Sequence, residues 1–155
     1  MKTLLFVCTA NICRSPMAEA IFDALAEDEA LPFRAQSAGT AALEGRAMAP
    51  NALAALEEAG IYPGPHRARQ VGEAMVGGSE LVLAMTPKHA ATVRRVAGAE
   101  PPPGGVHTLT GYAGGVADEG IADPYGLTMA AYRGTLRRLH EHVERVVGRL
   151  AAGQG

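Results

Sequence analysis

Thr3-Leu4-Leu5-Phe6-Val7-Cys8-Thr9-Ala10-Asn11-Ile12-Cys13-Arg14-Ser15-Pro16 follows the first two residues and decides how the rest of the chain is read. Residues 3–7 form a continuous apolar, partly β-branched run, the pattern of a strand buried on both faces. Ser15-Pro16 predicts a helix start, with Ser as cap and Pro at the first helical position. Ala18, Ile21, Phe22 and Leu25 follow at i, i+3, i+4 and i+7, which predicts a helix over residues 16–30. Strand, short loop and capped helix make the first half of a βαβ unit.

The alternation continues outward. Residues 33–37 predict a short second strand, closed by Ala38-Gly39, and residues 50–59 a second helix ending at Gly60. Leu81-Val82-Leu83-Ala84-Met85 is the best interior strand after the first. Thr86-Pro87 repeats the cap-plus-proline signal and opens a helix toward Ala97. Residues 106–109 predict a weaker fourth strand. Residues 110–126 are glycine-rich and lack periodicity, which predicts a long surface loop. Residues 128–152 predict a C-terminal helix whose apolar stripe is Leu136, Leu139, Val143, Val146, Val147 and Leu150. Strands separated by helices pair in parallel through right-handed crossovers, giving an α/β three-layer sandwich. No internal repeat or linker divides the chain, so one domain over residues 1–155 is expected. Ligands in such folds bind beyond the carboxyl ends of the strands, which directs attention to the loop after the first strand.

Composition narrows the function. The 155 residues carry 14 Lys and Arg against 16 Asp and Glu, a formal net charge of −2. No basic excess is available to neutralise a phosphate backbone, so a broad nucleic-acid face is not expected. The only cysteines are Cys8 and Cys13, which excludes a disulfide framework and favours a reducing, cytoplasmic setting. Two thiols without clustered histidines fall short of a zinc site; His140 and His142, spaced i, i+2 on the last helix, read as solvated rather than as metal ligands. Arg94-Arg95 and Arg137-Arg138 read as helix surface. No run approaches the ~18 apolar residues of a membrane span, so a soluble protein without membrane partners is expected.

The loop itself carries chemistry. Residues 9–13 lie between a thiol, Cys8, and a guanidinium, Arg14, with a helix beginning at once. A loop of this length can curl until successive backbone N–H groups (those of Thr9, Ala10, Asn11, Ile12 and Cys13) converge, and the helix aims its positive end at the same point. Arg14 adds a planar fork for two oxygens of a phosphate. Cys8 on the floor of such a cradle is favoured as thiolate and becomes a nucleophile toward bound phosphorus. Ser15 can donate its hydroxyl to the sulfur. No Gly-x4-Gly-Lys-Ser/Thr occurs, so nucleotide hydrolysis by a Walker loop is not supported. Curling also brings Cys13 toward Cys8, and peroxide is expected to join them reversibly.

Val7 through Ala20 closely resembles the signature of the low-molecular-weight protein tyrosine phosphatases. Ser37-Ala38-Gly39-Thr40, His66-Arg67-Ala68-Arg69-Gln70-Val71 and Asp123-Pro124-Tyr125 resemble that family too, in its order, so the likeness covers nearly the whole chain. The resemblance implies a four-stranded parallel sheet flanked by helices, no metal or cofactor, and a cysteinyl-phosphate intermediate. It also implies that Asp123 is the general acid and base, and that Tyr125 walls the cleft against an aromatic substrate. Asn11, Ser37 and His66 match positions that brace the loop. Phosphotyrosine protein is the implied substrate, with inorganic phosphate as product and inhibitor. Three positions depart from the eukaryotic pattern: Ala10 replaces a loop glycine, Gly126 stands where a second tyrosine is common, and Leu43 occupies the region where an aromatic shapes the cleft mouth.

Rival readings differ in one residue or one class. Protein arginine phosphatases of similar sequence carry threonine at the position of Ile12; the larger, apolar Ile12 favours phosphotyrosine. Thioredoxin-coupled arsenate reductases need downstream redox cysteines, and none follows Cys13. A non-catalytic phosphopeptide binder or thiol sensor needs neither Cys8 as nucleophile nor Asp123 as acid, so the three residues together argue for turnover.

Overall fold

In a computed structural model, which describes residues 1–116 and 119–153, the chain forms four strands and six helices. They run β1 (Lys2–Cys8), α1 (Arg14–Asp28), β2 (Phe33–Gly39), α2 (Pro50–Glu58), α3 (Glu73–Gly77), β3 (Leu81–Ala84), α4 (Pro87–Val96), β4 (Val106–Thr108), α5 (Leu109–Tyr112) and α6 (Met129–Ala151). The strands pair in the order β2-β1-β3-β4, all parallel, with Cys8 opposite Gly39 and Val7 opposite Ala84. The expected three-layer α/β sandwich is therefore present.

Strand periodicity sorts the core into two halves. Leu4, Phe6 and Cys8 point with Leu81, Leu83 and Met85 toward α1, α2 and α6, where Met17, Ile21, Phe22, Leu56, Leu139 and Val143 close the layer. Leu5, Val7 and Val82 point the other way, onto Val76 of α3 and Val93 of α4. Each large side chain taken fully out of water there stabilises the fold by about 1.5–3 kcal/mol. Buried on both faces, β1 has to read as an unbroken apolar run.

Four expectations are corrected. Helix α1 starts at Arg14, with Cys13 at its cap position making no side-chain cap bond; Ser15 is inside the helix and its hydroxyl is used elsewhere. The cap reading at Thr86 holds, since its hydroxyl accepts from the backbone N–H three residues on, and Thr128 caps α6 in the same way. Residues 110–126 are not simply a surface loop: their start is helical in α5, and Thr110, Tyr112 and Ile121 are buried. Tyr112 is anchored by the ring of His107, 5.2 Å away, and by Arg149 lying 3.9 Å over its face, partners that local periodicity does not reveal. Residues 117 and 118 of that expected loop lie outside the described residues. His142 is buried, its Nδ1 2.8 Å from the Arg138 carbonyl, because α6 packs a wider face than its aliphatic stripe. Arg94, Arg95 and Arg137 are exposed, whereas half-buried Arg138 donates to Gly120 O and pairs with Glu119, tying α6 to the preceding segment. Among the described residues no helix is long and apolar enough to cross a membrane.

Candidate active site

Strand order reverses at β1, since the chain leaves it for β2 on one side and reaches β3 on the other. That reversal opens a crevice at the carboxyl edge, and the segment after Cys8 fills it. The loop is held from outside by its carbonyls. Thr40 N–H donates to Cys8 O at 2.9 Å, Ala41 to Thr9 O at 3.0 Å, Leu43 to Ala10 O at 3.1 Å and Ala49 to Ile12 O at 2.9 Å. His66 Nε2 donates to Asn11 O at 2.7 Å. The amides of residues 9–13 have no acceptor among the described residues, and these residues line a cavity of about 180 Å³ with Cys8, Arg14, Asp123 and Tyr125. Inward donors around a small cavity make an anion cradle.

Asn11 sets the curl. Its φ of 61° is left-handed, a conformation asparagine tolerates better than most residues, while Ala10 needs no such angle. The fully buried Asn11 amide donates to Ser15 Oγ at 2.8 Å and Ser37 Oγ at 3.0 Å, and its Oδ1 accepts from Arg69 N–H at 3.0 Å. Ser37 in turn donates its own O–H to Glu19 Oε1 at 2.6 Å. Burial pushes the Glu19 carboxyl above its ordinary range, and the Ser37 bond pulls it part of the way back. Glycine is required at position 39, because a Cβ there would sit 2.3 Å from Thr9 O.

Cys8 is 2% exposed, with Sγ 2.9 Å from Ser15 Oγ. Asn11 already donates to that hydroxyl, whose one proton faces the sulfur at 2.9 Å and, at the longer distance of 3.4 Å, Ala38 O. Arg14 is 5% exposed and held at both terminal nitrogens: one donates to Ile121 O at 3.0 Å, the other lies 3.4 Å from Thr9 Oγ1 and 3.5 Å from Asp123 Oδ2. Asp123 is exposed and its Oδ1 accepts from Tyr125 N–H at 3.0 Å, a turn that fixes the carboxylate over the cavity rim. Tyr125, 55% exposed, stands beside it. Ile12 is buried against the cavity, whereas Leu43 is exposed and outside its lining. Cys13 Sγ lies 3.5 Å from Tyr132 Oη; burial pushes its thiol up to about 11, with the Tyr132 bond pulling it part of the way back.

Sequence reasoning missed Ile121, Tyr132, Glu19, Arg69, and above all His89. His89 sits under Thr9 with Nε2 2.7 Å from Thr9 Oγ1 and Nδ1 2.9 Å from Thr86 Oγ1. Burial, with Arg14 next to it, lowers its imidazole to about 4, so it is neutral at pH 7. Its one sequence signal was the Thr86 cap three residues earlier. A larger cavity of about 390 Å³ runs along α1; of the three carboxylates that line it, Glu19 and Asp23 are bonded to Ser37 and Ala35, Glu27 is the third, and the cavity holds no thiol.

Comparison with known proteins bears on this geometry. The family described as low molecular weight phosphotyrosine protein phosphatase matches residues 3–154. A low molecular weight protein-tyrosine-phosphatase of Streptomyces coelicolor is 38% identical over 155 residues, covering 90% of this chain and 94% of that one. A protein-arginine-phosphatase of Bacillus subtilis is 35% identical over 147 residues, with 95% of each chain covered. Among solved structures, YwlE arginine phosphatase, a cysteine-to-serine mutant with phosphorylated active-site serine, superposes with a TM-score of 0.88 at 34% identity, covering 96% of this chain and 95% of that one. A match that runs from the first strand through the last helix, with relatives this similar over nine-tenths of their length, leaves one conclusion: the chain belongs to the low molecular weight phosphotyrosine protein phosphatase family.

Proposed function

We propose that the protein hydrolyses phosphotyrosine in proteins, and small aryl phosphates, through a phosphocysteine on Cys8. One observation carries the reading: a buried thiol on the floor of a phosphate-sized cavity, 2.9 Å from a hydroxyl, with a guanidinium and a carboxylate at the rim. The Cys8 thiolate attacks phosphorus while the bond to the leaving oxygen breaks, and Asp123 gives that oxygen its proton. Arg14 and the loop amides hold the three remaining oxygens as charge redistributes, so their donors face where the transition state needs them. Asp123, now a carboxylate, takes a proton from water as it attacks the phosphocysteine. Inorganic phosphate leaves, and Ser15 stabilises the returning thiolate. Tyr125 stacks on the substrate ring, and Asn11, Ser37 and His66 keep the loop curled. The phosphorylated serine in the YwlE mutant supports a phosphoryl acceptor at this loop position.

Phosphoarginine hydrolysis is the second reading, favoured by the arginine phosphatase relative at 35% identity. Ile12 weighs against it: its apolar side chain at the cavity supplies no hydroxyl to orient water. Turnover on phosphotyrosine, phosphoarginine and phosphoserine peptides, with the parent and Ile12→Thr, decides between them. Phosphotyrosine turnover is expected from the parent, with a gain on phosphoarginine in Ile12→Thr; a parent that prefers phosphoarginine overturns the first reading. Cys8→Ser should abolish turnover while phosphate still binds, and turnover at the parent rate would remove the mechanism. The reading includes a single catalytic domain working in the cytoplasm, with inorganic phosphate as product inhibitor.

A further inference from the structure

We propose that His89 is a positioning residue for Arg14, acting through the hydroxyl of Thr9. The proposal rests on reading the loop as a phosphoryl cradle. Of the three partners of Arg14, Asp123 is exposed and turns to the leaving group during catalysis. Ile121 O and Thr9 Oγ1 then remain to hold the plane of the guanidinium, one at each terminal nitrogen. That plane decides whether the fork meets two phosphoryl oxygens together. Thr9 is itself exposed, so its hydroxyl is a free rotor unless something pins it. The 2.7 Å contact with His89, a side chain 7% exposed at the start of α4, does so.

Two neutral arrangements of the protons fit, and both pin the Thr9 hydroxyl. Arg14 can only donate, so Thr9 Oγ1 accepts from it and meets His89 Nε2 with either its O–H or its second lone pair. With Nε2 accepting, Nδ1 carries the hydrogen and donates to Thr86 Oγ1; with Nε2 donating, the Thr86 hydroxyl donates to Nδ1. Thr86 Oγ1 also accepts the His89 N–H at 3.3 Å, which anchors the ring to the first turn of α4. The relay is built on neutral imidazole, since an imidazolium would set a second cation beside Arg14. The charged groups facing His89 are Arg14 from α1, Asp123 from the segment before α6 and Lys88 on its own helix; burial and Arg14 together keep the ring neutral.

The test combines anion binding with kinetics at pH 7, using inorganic phosphate, vanadate and p-nitrophenyl phosphate. His89→Asn keeps an amide near Thr86 but cannot reach Thr9, whereas the amide of His89→Gln can. Vanadate affinity and kcat should each fall about tenfold or more in His89→Asn, with KM and thermal midpoint little changed. Thr9→Val should lose as much, the double variant Thr9→Val/His89→Asn no more than either single, and His89→Gln should recover most of the loss. Parent-like vanadate affinity in His89→Asn overturns the proposal. So do additive losses in the double variant, or equal losses in the Asn and Gln variants with a lowered thermal midpoint. A parent that binds vanadate but turns over no phosphate monoester defeats the proposed activity and leaves the positioning role to be read from binding. A parent that binds neither anion defeats both.

Discussion

Cys13 lies five positions from Cys8 in the same loop, yet its surroundings suit it to a different task. Its thiol, held up to about 11 by burial, is ionised in about one molecule in ten thousand at pH 7. It is therefore a slow partner for an oxidised Cys8, because the thiolate is what attacks. With peroxide in excess, the Cys8–Cys13 disulfide should form about tenfold faster per unit of pH between 7 and 9, followed by mass spectrometry of intact peptides. Sulfinic acid on Cys8 with no intramolecular bond across that range would refute it. Asp123 supports a separate expectation. Asp123→Asn should slow phenyl phosphate hydrolysis by about a hundredfold or more, and a dinitrophenyl ester far less, because a good leaving group needs no proton. Equal losses on both esters would remove Asp123 as the acid. That Cys8, Arg14 and Asp123 belong to one site was legible in the sequence, because spacing, turn chemistry and family likeness converge on them, and the three line one cavity. The Tyr132 contact was not, since it joins residues 119 positions apart.

At the scale of elements, the loop after β1 is shaped from inside by Asn11 and from outside by the segment wrapped behind it. Residues 40, 41, 43 and 49 donate to its carbonyls, and β2 delivers that segment by pairing in register with β1. Gly39 is where the two backbones touch. Gly39→Ala should cost about 3 kcal/mol, the upper end of overpacking penalties, and should lower phosphate affinity with it, measured by denaturation and calorimetry. A stable variant that binds phosphate like the parent would show that the loop can shift freely. The inner strands were legible as unbroken apolar runs, and the longer helices from the 3.6-residue period and the Thr-Pro cap at residues 86–87. The five-residue α3 and four-residue α5 were not, because so few residues carry no period, and tertiary anchors hold them. Ser15 was misread as a cap for a related reason: a hydroxyl before proline suits a helix start, but a sulfur 2.9 Å away claims it.

For the whole molecule, His89 ties acid stability to the site. A histidine held at about 4 in the fold and near 6.5 unfolded contributes nothing adverse above pH 6.5. As pH falls from 6.5 toward 4 the unfolded chain takes the proton first, and stability drops by about 3 kcal/mol from this group. Glu19 and Asp23, both raised by burial, act in the opposite sense, so the comparison must be between parent and His89→Gln. Between pH 7 and 4.5 the parent should lose more denaturation free energy than His89→Gln; equal losses would mean that the ring already titrates normally. The sequence by itself determined the alternation of strands and helices, the crevice-edge position of the loop, and the identity of its thiol, guanidinium and carboxylate. Those features are local: a period, a cap and a loop length are written in neighbouring residues. Only the tertiary structure decided how the loop is backed, which hydroxyl faces the sulfur, and that His89, 80 positions from Thr9, stands beneath it. Such contacts arise where β1 and β3 lie side by side and α4 begins at their edge, and packing between distant segments leaves no mark on the residues next to either one.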